Sequence, residues 1–243
     1  MAVSKVFLTG RWQYLAMINY EIEPAILDPF IPRGTELDSW SGKTFVSVVG
    51  FLFQNTRLLG LPIPFHRNFE EVNLRFYVRR RSGAEWRRGV TFIKEIVPRT
   101  AIAAVARYVY NENYIALPMR HRIDVESGKI KEGGIVEYRW KHSSLWNHLR
   151  VITSGAPSAL VPGSEEEFIT EHYWGYTRQR DGSSVEYQVE HPPWRVWQVG
   201  ECSLDCDVAD LYGSQFVKPL SAPPNSAFLA EGSAIRVSMA TKI

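Results

Sequence analysis

Residues 69–78, FEEVNLRFYV, alternate cleanly: Val72, Leu74, Phe76 and Val78 share one face of an extended strand, and Glu71, Asn73, Arg75 and Tyr77 share the other. A two-residue period held over a full strand length predicts a half-buried β-strand. The second face carries an acid, an amide, a guanidinium and a phenol, where a wet face ordinarily carries Lys, Thr and Ser. Turned into the lumen of a barrel or cone, it is a preorganised polar site. Turned outward, it is a decorated surface.

The same reading predicts strands over 14–20 and 44–53, the latter with Gly50 as a candidate bulge. A short helix is expected over 23–30, with Pro24 suited to its first position. Ser82-Gly83 joins 72–78 to 89–97 as a hairpin, and Asp181-Gly182 joins 173–179 to 184–190. Ile102, Val105, Ala106 and Val109 recur at helical spacing, so residues 99–110 make the best helix candidate. Strands follow over 120–125, 134–141 and 149–153. Ser164 with Glu167 is a capping-box pattern opening a short helix. Residues 194–199 read as a strand, Leu204, Val208, Leu211 and Tyr212 as a second substantial helix, and 227–238 as a terminal strand. Nothing divides the chain, so residues 1–243 are expected to form one α+β, mostly β domain: a large antiparallel sheet curled into a cone or barrel with a few outer helices.

Composition narrows the function classes. A net charge of +2, with both signs spread along the chain, gives no electrostatic footprint for nucleic acid or an anionic membrane. No apolar run approaches the ~20 residues that span a bilayer. Two cysteines cannot build a disulfide framework, and the first residues lack a signal-peptide pattern, so a cytoplasmic protein is expected. Assembly into a homo-oligomer stays open.

Candidate chemistry centres on the polar strand. An interior carboxylate beside a guanidinium acts as acid or base, or binds an anion; on a solvated face the same pair is a cross-strand ion pair. His172 and His191 lie near opposite ends of the second hairpin, which would bring them close, but no third ligand has a recognisable spacing. Structural histidines are the simpler reading, and no metal is expected. Cys202 and Cys206 are spaced C-x3-C, which would put both thiols on one side of the second helix's first turn, as packing groups. Arg79, Arg80, Arg81, Arg87 and Arg88 cluster at a hairpin tip and read as a solvated turn. There is no G-x-S-x-G elbow, no P-loop and no G-x-G-x-x-G, so no nucleotide cofactor is expected.

Several patches, taken in order, resemble the YqjF-like bacterial family, which is grouped structurally with acetoacetate decarboxylase. They are NYEIEP at 19–24, FVSVVGF at 45–51, FEEVNLRFYV at 69–78, FITEHYWGY at 168–176, HPPW at 191–194 and LAEGS at 229–233. The resemblance covers nearly the whole chain. It implies a decarboxylase-type sheet curled around a small-molecule cavity, with the relative's pocket acid falling on Glu71. Asn73 and Arg75 would then face the cavity, with Arg107 and Tyr114 close by and Tyr77 as a further phenolic donor. It fails at one point: the relative's paired lysines have no counterpart, because no lysine occurs between Lys94 and Lys129, and Tyr114 stands near where the nucleophile would be. Neither tyrosine nor a protonated guanidinium forms an imine. The expectation is therefore a protein binding a small molecule, an organic acid by preference, in an internal polar cavity. Any turnover would be lyase- or hydrolase-type acid–base chemistry through Glu71 without a Schiff base. The alternative is a non-catalytic ligand sensor or oligomeric scaffold of the same fold, its Arg–Glu pair consumed by mutual bonding.

Overall fold

The computed structural model describes residues 5–62, 66–101, 103–104, 111–126 and 129–243. Its first strands are β1 (Val6–Glu21), β2 (Glu36–Leu37), β3 (Phe45–Leu58), β4 (Leu61–Pro62), β5 (Phe69–Ser82), β6 (Glu85–Val97), β7 (Tyr114–Ala116), β8 (Met119–Ile123), β9 (Val125–Glu126) and β10 (Lys129–Ile130). There follow β11 (Ile135–His142), β12 (Leu145–Ser158), β13 (Trp174–Arg178), β14 (Ser184–Glu190), β15 (Val196–Asp205), β16 (Ser226–Ala230), β17 (Ala234–Ser238) and β18 (Thr241–Lys242). The described helices are short, the longest running over Glu165–Thr170.

Seven strands close on themselves in the order β1-β3-β5-β6-β13-β14-β17, because β1 pairs with both β17 and β3. The result is a mostly β, mixed barrel: nearly all pairs are antiparallel, but β13 and β7 run parallel to β6. A second antiparallel layer, β16-β15-β12-β11-β8, continues from β1. One long strand serves both layers. Residues Val6–Arg11 of β1 pair with β17, and Leu15–Asn19 pair with β16. Between them the register against β3 slips, and Tyr14 adopts φ 57°. Such a bulge bends a strand from one sheet to another.

That second layer corrects the half-buried reading of β5. Val72, Leu74, Phe76 and Val78 are fully buried with Val136, Tyr138, Trp140, Leu149 and Val151 in the core between barrel and outer layer. The opposite face is buried too, with Glu71, Asn73 and Tyr77 each at most 3% exposed. The register runs unbroken through Gly50 in the β3–β5 ladder, but against β1 it slips between Leu52 and Gly50, so Gly50 does border a bulge. It also makes room: a Cβ there would lie 2.5 Å from the Tyr138 ring.

The capped helix forms as its sequence directs, with Ser164 Oγ accepting from the Glu167 amide at 3.1 Å. Residues 23–30 form a one-turn helix and a 3-10 turn with Pro24 at the start. The two hairpins hold their expected turns. The expected second helix does not form. Strand β15 runs on through Leu204, and only Val208–Leu211 is helical, capped by Asp207 and ended by Gly213 at φ 110°. Cys202 and Cys206 therefore flank the end of a strand, both as free thiols. The terminal strand is split into β16 and β17 by a turn at Gly232, where a Cβ would lie 2.1 Å from the Trp12 carbonyl. Of the helix expected over 99–110, Thr100, Ala101, Ala103 and Ala104 are helical, and the other residues from 102 onward lie outside the described ones. No helix among the described residues is long and apolar enough to cross a membrane.

Candidate functional site

The barrel encloses a cavity of about 200 Å³. Glu71, Asn73 and Arg75 line it, since odd positions of β5 face inward. One side of the cavity is aromatic, built from Trp12, Phe51, Phe53, Phe69 and Trp194. Phe53 stacks on Phe69 at 4.7 Å, and Trp12 meets Phe51 edge-on at 5.4 Å. The other side is polar, and its centre spans three adjacent strands. Asn73 on β5 sits opposite Glu95 on β6, which sits opposite Tyr114 on β7.

Hydrogen bonds knit that centre. Asn73 Nδ2 donates to Glu71 Oε1 at 3.0 Å, and the Tyr114 hydroxyl donates to Glu71 Oε2 at 3.2 Å. Tyr114 also bonds Glu95. Glu112, from the segment before β7, accepts from Tyr187 and, at 3.4 Å, from Thr177. Gly175 leaves the space for Tyr187, because a Cβ there would lie 2.2 Å from the phenol ring. Two buried atoms of this group, Glu95 Oε2 and Asn73 Oδ1, have no hydrogen-bond partner.

Three buried carboxyls that act on one another cannot all ionise. Burial raises Glu71 despite the opposing Asn73 hydrogen bond, and the Glu112 charge adds to the rise. Burial likewise lifts Glu95 far above the usual carboxylate range, helped by the charges of Glu112 and Glu71. Glu112 also rises through burial, against its bonds from Tyr187 and Thr177. Carboxyls lifted this way are the kind that exchange protons near neutral pH.

Arg75 is placed differently. One guanidinium nitrogen donates to the Ile169 carbonyl at 3.2 Å and lies 3.9 Å from Met17 Sδ, while Nε is buried without a partner. The guanidinium carbon sits 5.7 Å from the Tyr77 ring centre. Among the described residues it makes no ion pair with a carboxylate.

The remaining predicted residues separate from this group. Tyr77 faces the same way but lies beyond the cavity, sharing a 2.6 Å hydrogen bond with Ser47, whose hydroxyl donates to Asn19 at 2.6 Å. Its phenol is thus committed to the core. Arg107 lies outside the described residues. His172 and His191 both line the cavity but have separate partners. His172 Nε2 lies 3.4 Å from Asp38, and burial lowers the imidazole to about 4, so it is neutral at working pH. Asp38, despite its burial, is held at about 2 by His172 and Arg88. His191 stacks on Trp194 at 4.0 Å. The basic hairpin tip is largely neutralised: Arg79 pairs with Glu36, Arg80 and Arg87 with Glu186, and Arg88 with Asp38.

Sequence reading missed Glu95 and Glu112. A register shift between Leu74 and Arg75 leaves Ile93 unpaired, because Leu74 faces Lys94 while Arg75 faces Phe92. Strict alternation from Phe92 would have turned Lys94 inward. The extra residue turns Glu95 inward instead, and among the described residues no lysine lines the cavity. Glu112 comes from a segment without regular structure, where no period signals direction.

A seven-strand mixed barrel with extra strands and a few short helices is the acetoacetate decarboxylase-like fold. Acetoacetate decarboxylase from Legionella pneumophila superposes with a TM-score of 0.66 at 13% identity, covering 98% of this chain and 87% of that one. The enduracididine biosynthesis enzyme MppR, in complex with pyruvate, superposes with a TM-score of 0.70 at 11% identity, covering 100% and 91%. Identities this low establish the fold. A family model, DUF2071, described as an uncharacterized conserved protein, matches residues 9–234, and the chain belongs to that family. The uncharacterized protein YqjF of Bacillus subtilis (strain 168) is 26% identical over 207 residues, covering 83% of this chain and 80% of its own.

Proposed function

We propose that this protein binds a small organic acid inside its barrel. The carboxylate rests on Arg75 and the apolar part lies against the aromatic wall, with Asn73 and Tyr114 as further polar contacts. Glu71 is the candidate acid–base group. The reading rests above all on Arg75, a guanidinium at the cavity wall with a free Nε and no carboxylate partner among the described residues. A guanidinium fork matches a carboxylate in both charge and shape. Protonated neighbours support the same reading, because neutral carboxyls do not repel an incoming anion. A cavity of about 200 Å³ suits a ligand of few heavy atoms. The solved relative MppR holds pyruvate, a small keto acid.

Arg75 is also what weighs against a sealed scaffold, in which it would be consumed by an internal acid. Lyase-type chemistry, if it occurs here, runs without an imine, since the cavity offers no lysine among the described residues. A thermal-shift screen against small carboxylates tests the proposal. Monocarboxylates should raise the melting temperature of the wild type, and Arg75→Met should abolish the shift while leaving the protein folded. A shift that survives in Arg75→Met would refute the assignment.

A further inference from the structure

The two unpartnered atoms of the polar centre are oxygens: Asn73 Oδ1 is an acceptor, and Glu95 Oε2 becomes one when its carboxyl gives up its proton. Glu95 Oε2 and Asn73 Oδ1 are buried, belong to residues 1% and 2% exposed, and have no donor within reach. The orientation of the Asn73 amide is fixed by its Nδ2 bond to Glu71, so its oxygen is the atom left over. A buried acceptor without a partner is destabilising. Glu95 and Asn73 face one another across the β5–β6 ladder, so both oxygens belong to one place on the cavity wall. An ionised Glu95 Oε2 and Asn73 Oδ1 together suit a donor with more than one N–H.

From this we propose that the ligand carries an ammonium group beside its carboxylate, so that the cavity takes a small apolar α-amino acid or a close analogue. The proposal rests on the organic-acid reading above and names the class of acid. The ammonium donates to Glu95 Oε2 and Asn73 Oδ1, the carboxylate meets Arg75, and the side chain packs on the aromatic wall. Arg75 and Asn73 are two residues apart on the inward face of one strand, their backbone positions about 7 Å apart.

Charge balance gives the proposal a signature of its own. The groups around Glu95 are Asn73 opposite it on β5, Tyr114 on β7, and the carboxyls of Glu71 and Glu112. Arg75 is the one fixed cation among the described residues lining the cavity, and burial keeps the carboxyls protonated. An arriving ammonium favours the ionised form of its carboxyl partner, so a carboxyl of this group gives its proton to the buffer on binding. A ligand bearing only a carboxylate releases none.

The test compares leucine with its two half-molecules, 4-methylpentanoate and 3-methylbutylamine, by titration calorimetry at pH 7 in buffers of differing ionisation enthalpy. Leucine is expected to bind at least tenfold more tightly than either half, with net proton release approaching one per ligand. Glu95→Gln, checked for folding by thermal melt, is expected to weaken leucine at least tenfold more than it weakens 4-methylpentanoate. If 4-methylpentanoate binds and leucine does not, or leucine binds without proton release, the ammonium site is refuted while the organic-acid reading stands. If none of the three binds, both fall.

Discussion

Glu71→Gln turns the burial of the carboxyl cluster into a measurable stability curve. Glu71 is 3% exposed, and its carboxyl is raised from 4.5 to about 8 in the folded protein. Between those two values the unfolded chain ionises while the folded chain keeps its proton, so the folded state binds more protons. Stability therefore falls as pH rises through this window and levels off above it. Each unit of separation is worth about 1.4 kcal/mol, which sets a ceiling of about 5 kcal/mol for a lone group. Glu95 and Glu112 share the same buried space and its protons, so roughly half of that is expected to belong to Glu71 alone. Glutamine removes the titration but keeps an oxygen for Asn73 Nδ2, now 3.0 Å from Glu71 Oε1, and the Tyr114 hydroxyl can turn to accept. At pH 5 the variant should lie within about 1 kcal/mol of the wild type. At pH 8.5 it should be more stable by about 2–3 kcal/mol. Urea unfolding followed by tryptophan fluorescence at pH 5, 7 and 8.5 reads the difference. Two parallel curves across that range would mean that Glu71 is hydrated, and its assignment as a buried, raised carboxyl would fail.

Other perturbations probe separate parts of the account. His172→Gln should flatten the acid limb of the stability curve: the imidazole sits at about 4 when folded, so the wild type loses stability as pH falls from about 6.5 toward that value. Gly50→Ala drives a methyl to within 2.5 Å of Tyr138 at the seam between barrel and outer layer, and should cost about 1–3 kcal/mol of unfolding free energy. Gly175→Ala displaces Tyr187 from Glu112, and calorimetry should show weakened ligand binding out of proportion to any loss of stability. Borohydride trapping with a β-keto acid should leave the intact mass unchanged; a covalent adduct would show an imine-forming amine, and none lines the cavity among the described residues.

What the sequence disclosed depended on whether local periodicity and the folded environment agreed. The alternation of 71, 73, 75 and 77 against 72, 74, 76 and 78 was legible because β5 is regular along that run, and both faces are buried in the folded chain. Hairpin turns at Ser82-Gly83 and Asp181-Gly182 were legible for the same local reason. Glu95 was hidden by a single unpaired residue, which reverses the parity of everything after it. Leu204, Val208, Leu211 and Tyr212 mimic a helical stripe because a strand end and one capped turn place them in the same core. Tyr77 shows the opposite limit: parity gave its direction, but Ser47, 30 residues away, decides that its hydroxyl serves the core.

A crystal structure of the wild type grown with the best-binding carboxylate from the thermal-shift screen tests the central claim most directly. The account predicts density for that ligand inside the barrel, its carboxylate within hydrogen-bond distance of the Arg75 guanidinium and its apolar end against Phe51, Phe53 and Trp12. A ligand bound on the outer surface, or an Arg75 turned away into an internal ion pair with the cavity empty, would contradict it.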